Sequence, residues 1–407
     1  MPEVVVIESI GHRGDGVATT HDGPLYVPFA LPGERVAVER DGPRGRIVEI
    51  LVPSPERVAP LCRHFGTCGS CALQMLPLDA TRKLKRDFVV AALKQRRLTP
   101  HVEETIGVPP ASRRRAVLTV LRVGGRLIFG YHERLSHNVV DIEECPVLAP
   151  ALQARLADIR ALAEPLVLGR RPARLTVLLT RNGLDVAIEG VPPDARAIAR
   201  LSEVAAARGV ARLSVDGEPI VTLAEPALDI AGVALTPPPG AFVQASAEAE
   251  AAMTALGTEH LSGATRVADL YSGIGTFALA LARQSAVHAV ETNEAALGAL
   301  TRAARRTAKL KPITTETCDL FAHPLAPQEL EKLDGVVFDP PFAGAKAQTE
   351  ALAQSKVPLV AAVSCNPATF ARDAKILVEG GFTLDRVVPV DQFVYSAETE
   401  VVGLFAR

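Results

Sequence analysis

The chain has 407 residues, 48% of them apolar and 22% charged, which is material for two or three hydrophobic cores and not the balance of a disordered segment. No run approaches the roughly 20 apolar residues that a membrane span requires, and the start lacks a basic segment followed by a long apolar run, so no membrane partner and a cytoplasmic location are expected. The formal net charge of −2 excludes a uniformly basic nucleic-acid binder and leaves that role to local excesses of Lys and Arg.

In chain order, residues 3–58 alternate apolar and polar positions around Gly-rich turns, as at 4–7, 25–28 and 34–38. This predicts short strands in a small antiparallel barrel, with Pro53, Pro55 and Pro60 marking its end. Cys62, Cys68 and Cys71 follow in a Pro-flanked loop, and Cys145 lies far downstream. In a reducing compartment four such thiolates suit a tetrahedral zinc or a four-iron cluster better than disulfides, and spacing alone does not separate the two metals. A basic helix is predicted over 81–97. Strand pairs at 116–121 with 127–131 and 175–179 with 184–188 follow, joined through Gly-Gly and Asn-Gly turns. The stretch 81–135 holds thirteen bases, among them Lys85, Arg113, Arg114 and Arg115, against four acids. It reads either as solvated faces or as an RNA-facing surface, and the run Arg302, Arg305, Arg306, Lys309 and Lys311 reads the same way.

After Pro237-Pro238-Pro239-Gly240 the rhythm becomes short apolar runs at 267–270, 287–290, 335–338, 359–363 and 387–390, separated in several places by Ala-rich helical segments. That alternation predicts a doubly wound α/β sheet with its ligand at the C-terminal strand ends. The expected fold is a multidomain α/β protein: a barrel over 1–58, an α+β domain with the cysteine loop over 59–235, and a Rossmann-like domain over 236–407.

Chemistry concentrates in the last segment. Asp269-Leu270-Tyr271-Ser272-Gly273-Ile274-Gly275-Thr276-Phe277 carries a strand into Gly-x-Gly and a helix, with Glu291 at the end of the next strand and Asp319 after the one that follows. The glycines allow close backbone approach, and Glu291 is placed to accept two ribose hydroxyls. The pattern looks like the S-adenosylmethionine site of class I methyltransferases. A nicotinamide site is the near competitor, but its usual third glycine is absent. Asp339-Pro340-Pro341-Phe342 ends another strand, in a setting that suits a base or amide beside a methyl donor as well as an ordinary Pro turn. Ser364-Cys365-Asn366-Pro367 ends the next. A cysteine there could be a small buried hydrophobe, but the Asn-Pro turn exposes it at the ligand rim. Uracil C5 becomes nucleophilic when a thiolate adds to C6, so Cys365 has the required chemistry, and Glu400 or Glu398 could remove the C5 proton afterwards.

These residues, with Phe242-Val243-Gln244 before them, resemble the bacterial RNA uracil-C5 methyltransferase family over nearly the whole chain, in particular its 23S rRNA members of the RlmD type. The resemblance implies donor binding by Gln244, Tyr271, Gly273, Gly275, Thr276, Glu291, Asp319 and Asp339, with Cys365 as nucleophile, Asp339 at the uracil edge and Glu400 as base. It implies a [4Fe–4S] cluster on Cys62, Cys68, Cys71 and Cys145. Through Gly14-Asp15-Gly16-Val17-Ala18 and the run 27–34 the barrel is similar to a TRAM domain, an OB-like RNA-binding module. Barrel and cluster together imply rRNA rather than tRNA as partner, acted on by a monomer. Ser70, Ser246, Phe342 and Glu398 depart from the family's usual Gly, Asn, Arg and His. A methyltransferase of another RNA group and a non-catalytic RNA-binding protein are the competing readings; neither needs Cys365, Asp339 and Glu400 together.

Overall fold

A computed structural model describes residues 2–166, 172–190 and 195–407. The first six strands, Glu3–Val6, Ser9–Ile10, Asp15–Thr20, Gly23–Pro28, Arg35–Asp41 and Arg44–Val52, make one sheet. It is antiparallel except for a single parallel bridge between Tyr26 and Arg44. Alternation sends Leu25, Val27, Val36 and Val38 inward, where each is fully buried.

A second, seven-stranded sheet runs in the spatial order Val139–Asp141, Arg126–His132, Arg115–Val123, Ala173–Thr180, Gly183–Glu189, Arg212–Val215, Glu218–Thr222. Both expected hairpins are present. Gly124 and Gly125 take φ of 56° and 82° in the first, as a tight turn between right-twisted strands demands.

The third sheet has eight strands in the order Ile313–Thr317, Ala286–Glu291, Arg266–Leu270, Gly335–Phe338, Leu359–Ser364, Glu400–Ala406, Thr383–Asp391, Ile106–Gly107. The first five are parallel, and Glu400–Ala406 inserts antiparallel to both of its neighbours. Chain order reverses between Arg266–Leu270 and Gly335–Phe338, so a crevice opens above the C-terminal ends of those two strands.

The sheets do not follow the expected segment boundaries. The helix Leu78–Gln95 packs on Pro367–Glu379 and on Thr383–Asp391, and Ile106–Gly107 supplies the edge strand of the third sheet. The small hairpin of Leu228–Ile230 and Val233–Leu235 packs against the helices Thr276–Leu281 and Glu294–Arg306. Residues of the second and third sheets share one hydrophobic core, and the opposite face of the third sheet has its own, to which Val89 and Leu93 of the long helix contribute.

That helix also carries Lys85, wholly buried, whose Nζ donates to Asp391 Oδ1 at 2.5 Å and to the carbonyl of Phe393 at 2.8 Å. Burial pushes the Lys85 pKa down, and the adjoining Asp391 opposes that shift. Lys85→Met fills similar space but strands a buried carboxylate, at a cost of about 3–5 kcal/mol. Denaturant unfolding is the measurement. Asp391→Asn added to Lys85→Met should recover part of the loss, and equal stability of Lys85→Met and wild type would refute the assignment.

Candidate active site

The crevice at the order reversal is a cleft of about 420 Å³, within the range of small-molecule sites. Its walls come from the turn after Arg266–Leu270, from the ends of Ala286–Glu291, Gly335–Phe338 and Leu359–Ser364, and from the segment 241–244. Gln244, Tyr271, Gly273, Thr276, Glu291, Asp319, Asp339, Cys365 and Glu400 all line it. Gly275, also expected there, does not. It takes φ +94° beneath the turn, and a Cβ there would stand 2.4 Å from Leu300 Cδ1, so this glycine lets the helix Glu294–Arg306 pack closely rather than admitting a ligand.

The turn is held by Glu291. Its Oε2 accepts from the backbone N–H of Gly273 at 3.0 Å, while Oε1 accepts from the N–H groups of Thr292 and Asn293 and from the Thr292 hydroxyl. With a single protein donor, Oε2 keeps acceptor capacity toward the cleft. Tyr271 adopts φ 59°, a left-handed conformation rarely taken by a bulky side chain, and its ring lies 5.5 Å from that of Phe321. Asp269, fully buried below the turn, accepts from Ala278 N–H at 2.8 Å and ties strand to helix.

On the opposite wall Cys365 sits between Leu359–Ser364 and Pro367–Glu379. Asn366 caps that helix, its Oδ1 accepting from Ala368 N–H at 3.0 Å, and Pro367 occupies the first helical position; this turn is what lifts the thiol to the rim. Asp339, Gln244, Gln392 and Glu400 form a continuous chain. Gln244 Nε2 donates to Asp339 Oδ2 at 2.9 Å, and Gln392 Nε2 donates both to Gln244 Oε1 at 2.8 Å and to Glu400 Oε1 at 3.1 Å. Gln392, 3% exposed, is absent from the residues expected at the site, yet it joins Gln244 to Glu400. Glu400 is 4% exposed and lines the cleft, whereas Glu398 is exposed and does not, which separates the two candidate bases.

The cleft is acidic and poorly solvated. Asp339 opens onto it, yet protein encloses the carboxyl deeply enough to raise its pKa to about 6. Burial raises Glu400 well above the carboxylate range, with the Asp339 and Glu398 charges adding to the effect. Burial, then Glu400, Asp339 and Glu398, push the Cys365 thiol up to about 12. The thiol is therefore not held as thiolate.

Residues 234–361 match a family model described as Methyltransferase small domain. An RNA methyltransferase of Rhizobium meliloti is 46% identical, with 99% of each chain covered. A 23S rRNA (uracil-C5) methyltransferase, RlmD, of Chromohalobacter salexigens is 36% identical over 98% of this chain and 88% of the relative. The chain belongs to the RNA uracil-C5 methyltransferase family. The whole fold is shared with the Pyrococcus abyssi tRNA (uracil-54, C5)-methyltransferase in complex with S-adenosyl-L-homocysteine, at a TM-score of 0.78, 21% identity and 99% of each chain. The sheet of this uracil-C5 methyltransferase is accordingly the class I methyltransferase sheet, and the protein is an S-adenosylmethionine-dependent RNA methyltransferase.

One of the family departures, Ser246, has a local explanation, and nothing in the structure explains Phe342 in place of Arg. Ser246 caps the helix Ala247–His260, accepting from Ala249 N–H at 3.3 Å, a task that Ser and Asn perform alike. Phe342 is 63% exposed at the cleft rim, and its carbonyl accepts from Asn366 Nδ2 and Thr369 Oγ1.

Cys62, Cys68, Cys71 and Cys145 line one common cavity, and none is in a disulfide. Among the described residues no three His, Cys, Asp or Glu side chains converge as ligands of a single ion. Four thiolates around one zinc would stand about 3.8 Å apart. The loop is pinned to the rest of the methyltransferase: Ala72 and Leu73 N–H both donate to the Tyr395 carbonyl, and Gly69 N–H donates to His132.

Several of the thirteen bases in the basic stretch are spent on ion pairs within the chain, some buried and some at the surface. Lys85 pairs with Asp391, Arg114 with Glu250, Arg122 with Glu164, Arg126 with Asp141 and Arg134 with Asp15. Arg302, Arg305 and Arg306 are exposed on the last turns of Glu294–Arg306, a placement that the helix dipole favours in any protein.

Proposed function

We propose that this methyltransferase places a methyl group on C5 of a uridine in 23S rRNA through a covalent adduct between Cys365 and uracil C6. The observation that carries the reading is the meeting of Cys365, Asp339 and Glu400 with the Gly-x-Gly turn in a single cleft. When bound, S-adenosylmethionine supplies an electrophilic methyl group. Gln244, Tyr271, Gly273, Thr276, Glu291, Asp319 and Asp339 would hold it, with Glu291 Oε2 receiving a ribose hydroxyl.

Cys365 gives its proton to water as sulfur adds to C6, electron density gathers at C5, and C5 takes the methyl group as the methyl's bond to the donor sulfur breaks. Glu400, acting as its carboxylate with a basicity that burial increases, then takes the C5 proton, the C5–C6 double bond re-forms and the C6–S bond breaks to release the thiolate. Asp339 fixes Gln244, and Gln392 links Gln244 to Glu400, so recognition and proton removal share one hydrogen-bonded frame. The target base has to leave its stack to reach a thiol in a cleft, which a loop uridine does most cheaply. RNA carrying 5-fluorouridine lacks the C5 proton, so it should remain covalently attached; absence of any adduct, with normal methylation of unmodified RNA, would refute the mechanism.

The 23S target rests on 36% identity along the chain to a 23S rRNA enzyme, against 21% to the archaeal tRNA enzyme. The N-terminal sheet does not discriminate, because the tRNA enzyme shares the fold over 99% of both chains. We read that sheet as the TRAM-like RNA-binding barrel. Loss of 5-methyluridine from 23S rRNA and its retention in tRNA of a deletion strain is the expected result, and the reverse pattern would reassign the substrate.

Cys62, Cys68, Cys71 and Cys145 would hold the [4Fe–4S] cluster. Four thiols lining one cavity are the donor set that a four-iron cluster takes. Its contribution is structural, joining the 62–71 loop to the strand end at Cys145. Anaerobically purified protein should contain about four irons per chain, the content of one four-thiolate cubane. Stoichiometric zinc without iron would overturn the assignment.

A further inference from the structure

Beside the donor cleft lies a second cavity of about 250 Å³, sharing Phe242 and Phe393 with it as common walls. Its remaining wall includes Arg113, Arg115, Tyr131 and Gln392. The register of the Arg113-Arg114-Arg115 triplet explains the charge there. In extended chain, successive side chains alternate faces. Arg114 turns inward, donating to Glu250 Oε2 at 2.7 Å and to the carbonyl of Gln244 at 3.1 Å, while Arg113 and Arg115 face the cavity.

Neither outer arginine has a carboxylate partner among the described residues. Arg115 Nε donates to the Ala241 carbonyl at 3.2 Å, and its guanidinium lies 5.6 Å from the Phe242 ring centroid; Arg113 lies 5.8 Å from that of Phe393. Burial, then the charges of Arg174 and Arg113, bring the Arg115 pKa down to about 10 against an opposing pull from Glu189, so it stays charged at neutral pH. Phe242 is 67% exposed, and Gln392 Oε1 is buried with no partner. The donor cleft is lined instead by Glu291, Asp319, Asp339 and Glu400. A neutral uracil can enter that acidic cleft, but the phosphates attached to it are repelled and need cations across the rim.

We infer that the second cavity is the binding site for the nucleotide adjoining the target uridine, its phosphate on Arg113 and Arg115 and its base against Phe242. The inference rests on the RNA methyltransferase reading above. Planar guanidinium groups clamp phosphate in two-pronged fashion, and an exposed aromatic ring offers a stacking surface to any base. The two clefts then divide the strand: chemistry on one side of Phe242 and Phe393, anchorage on the other.

The test uses the full, iron-loaded chain with a loop-containing 23S rRNA fragment that it methylates. RNA affinity is measured over a salt series for Arg113→Gln, Arg115→Gln, the double variant and Arg115→Lys. Each lost phosphate contact should flatten the slope of log affinity against log salt by about 0.7. The Gln variants should raise KM for RNA by about tenfold or more, with affinity for S-adenosyl-L-homocysteine unchanged. Arg115→Lys should restore the slope but not all of the affinity. Iron content is read on every variant, and if Arg113→Gln loses iron, Arg115→Gln carries the comparison. Unchanged KM and slope in Arg115→Gln would overturn the inference while leaving the methylation reading intact. Failure of the wild-type chain to form 5-methyluridine on any RNA would instead sink that reading, whatever the arginines do.

Discussion

Cys365→Ala is expected to abolish methylation, by about 10⁴-fold or more as for other nucleophile deletions, while S-adenosyl-L-homocysteine binds nearly as before. The thiol takes no part in the hydrogen bonds that tie Glu291 to the Gly-x-Gly turn, so its removal leaves that framework intact. Calorimetry and single-turnover assays measure the two quantities, and substantial residual turnover would end the covalent mechanism. The same thiol sets a pH dependence. With its pKa pushed up to about 12 by burial and the neighbouring carboxylates, the thiolate fraction grows throughout the working range. Adduct formation should therefore rise with pH with no plateau near the ordinary thiol value of about 8.5. A plateau there would mean that RNA binding removes the electrostatic burden before attack.

Glu400→Gln should separate the two halves of the reaction. The amide keeps shape and can still meet Gln392, but it cannot take the C5 proton, so addition and methyl transfer proceed while elimination stalls. A covalent protein–RNA species should accumulate on natural uridine, appear as a slow band on a denaturing gel and vanish when Cys365 is also replaced. Glu398→Gln, altering an exposed side chain outside the cleft, should turn over without trapping. If Glu398→Gln traps the adduct and Glu400→Gln does not, the base has been misassigned.

The donor turn, the Asp-Pro-Pro loop and the cysteine rim were legible in the sequence because each ends a short apolar run, and strand ends converge at a reversal of sheet order. The strand Ile313–Thr317 was legible only from its place before Asp319 and not from its own residues, since it is an edge with one apolar residue in five and carries no buried-strand signature. Ile106–Gly107 is two residues long and is defined only by its partner, Thr383–Asp391. Gln392 was not legible in the sequence because a long-range bridge between two side chains leaves no local pattern. The Arg triplet shows the same limit at finer grain. Composition marked it as basic, yet only packing against Glu250 distinguishes the middle residue, spent on structure, from its two neighbours. Gly275 carries a demand with no local signature: a left-handed glycine beside a ligand turn is also required by the helix behind it.

The carbonyl of Tyr395, taking two N–H groups from the cysteine loop, bears on how such enzymes can be recombined. A shuffled chain that imported residues 236–407 as a cassette would inherit Asp391 without Lys85, a sheet edge without Ile106–Gly107, and a base-bearing loop whose anchor belongs to the donor parent. Crossover points compatible with this architecture therefore lie where few of these tethers are cut, between the first sheet and the cysteine loop rather than at the Pro-rich break before the last segment.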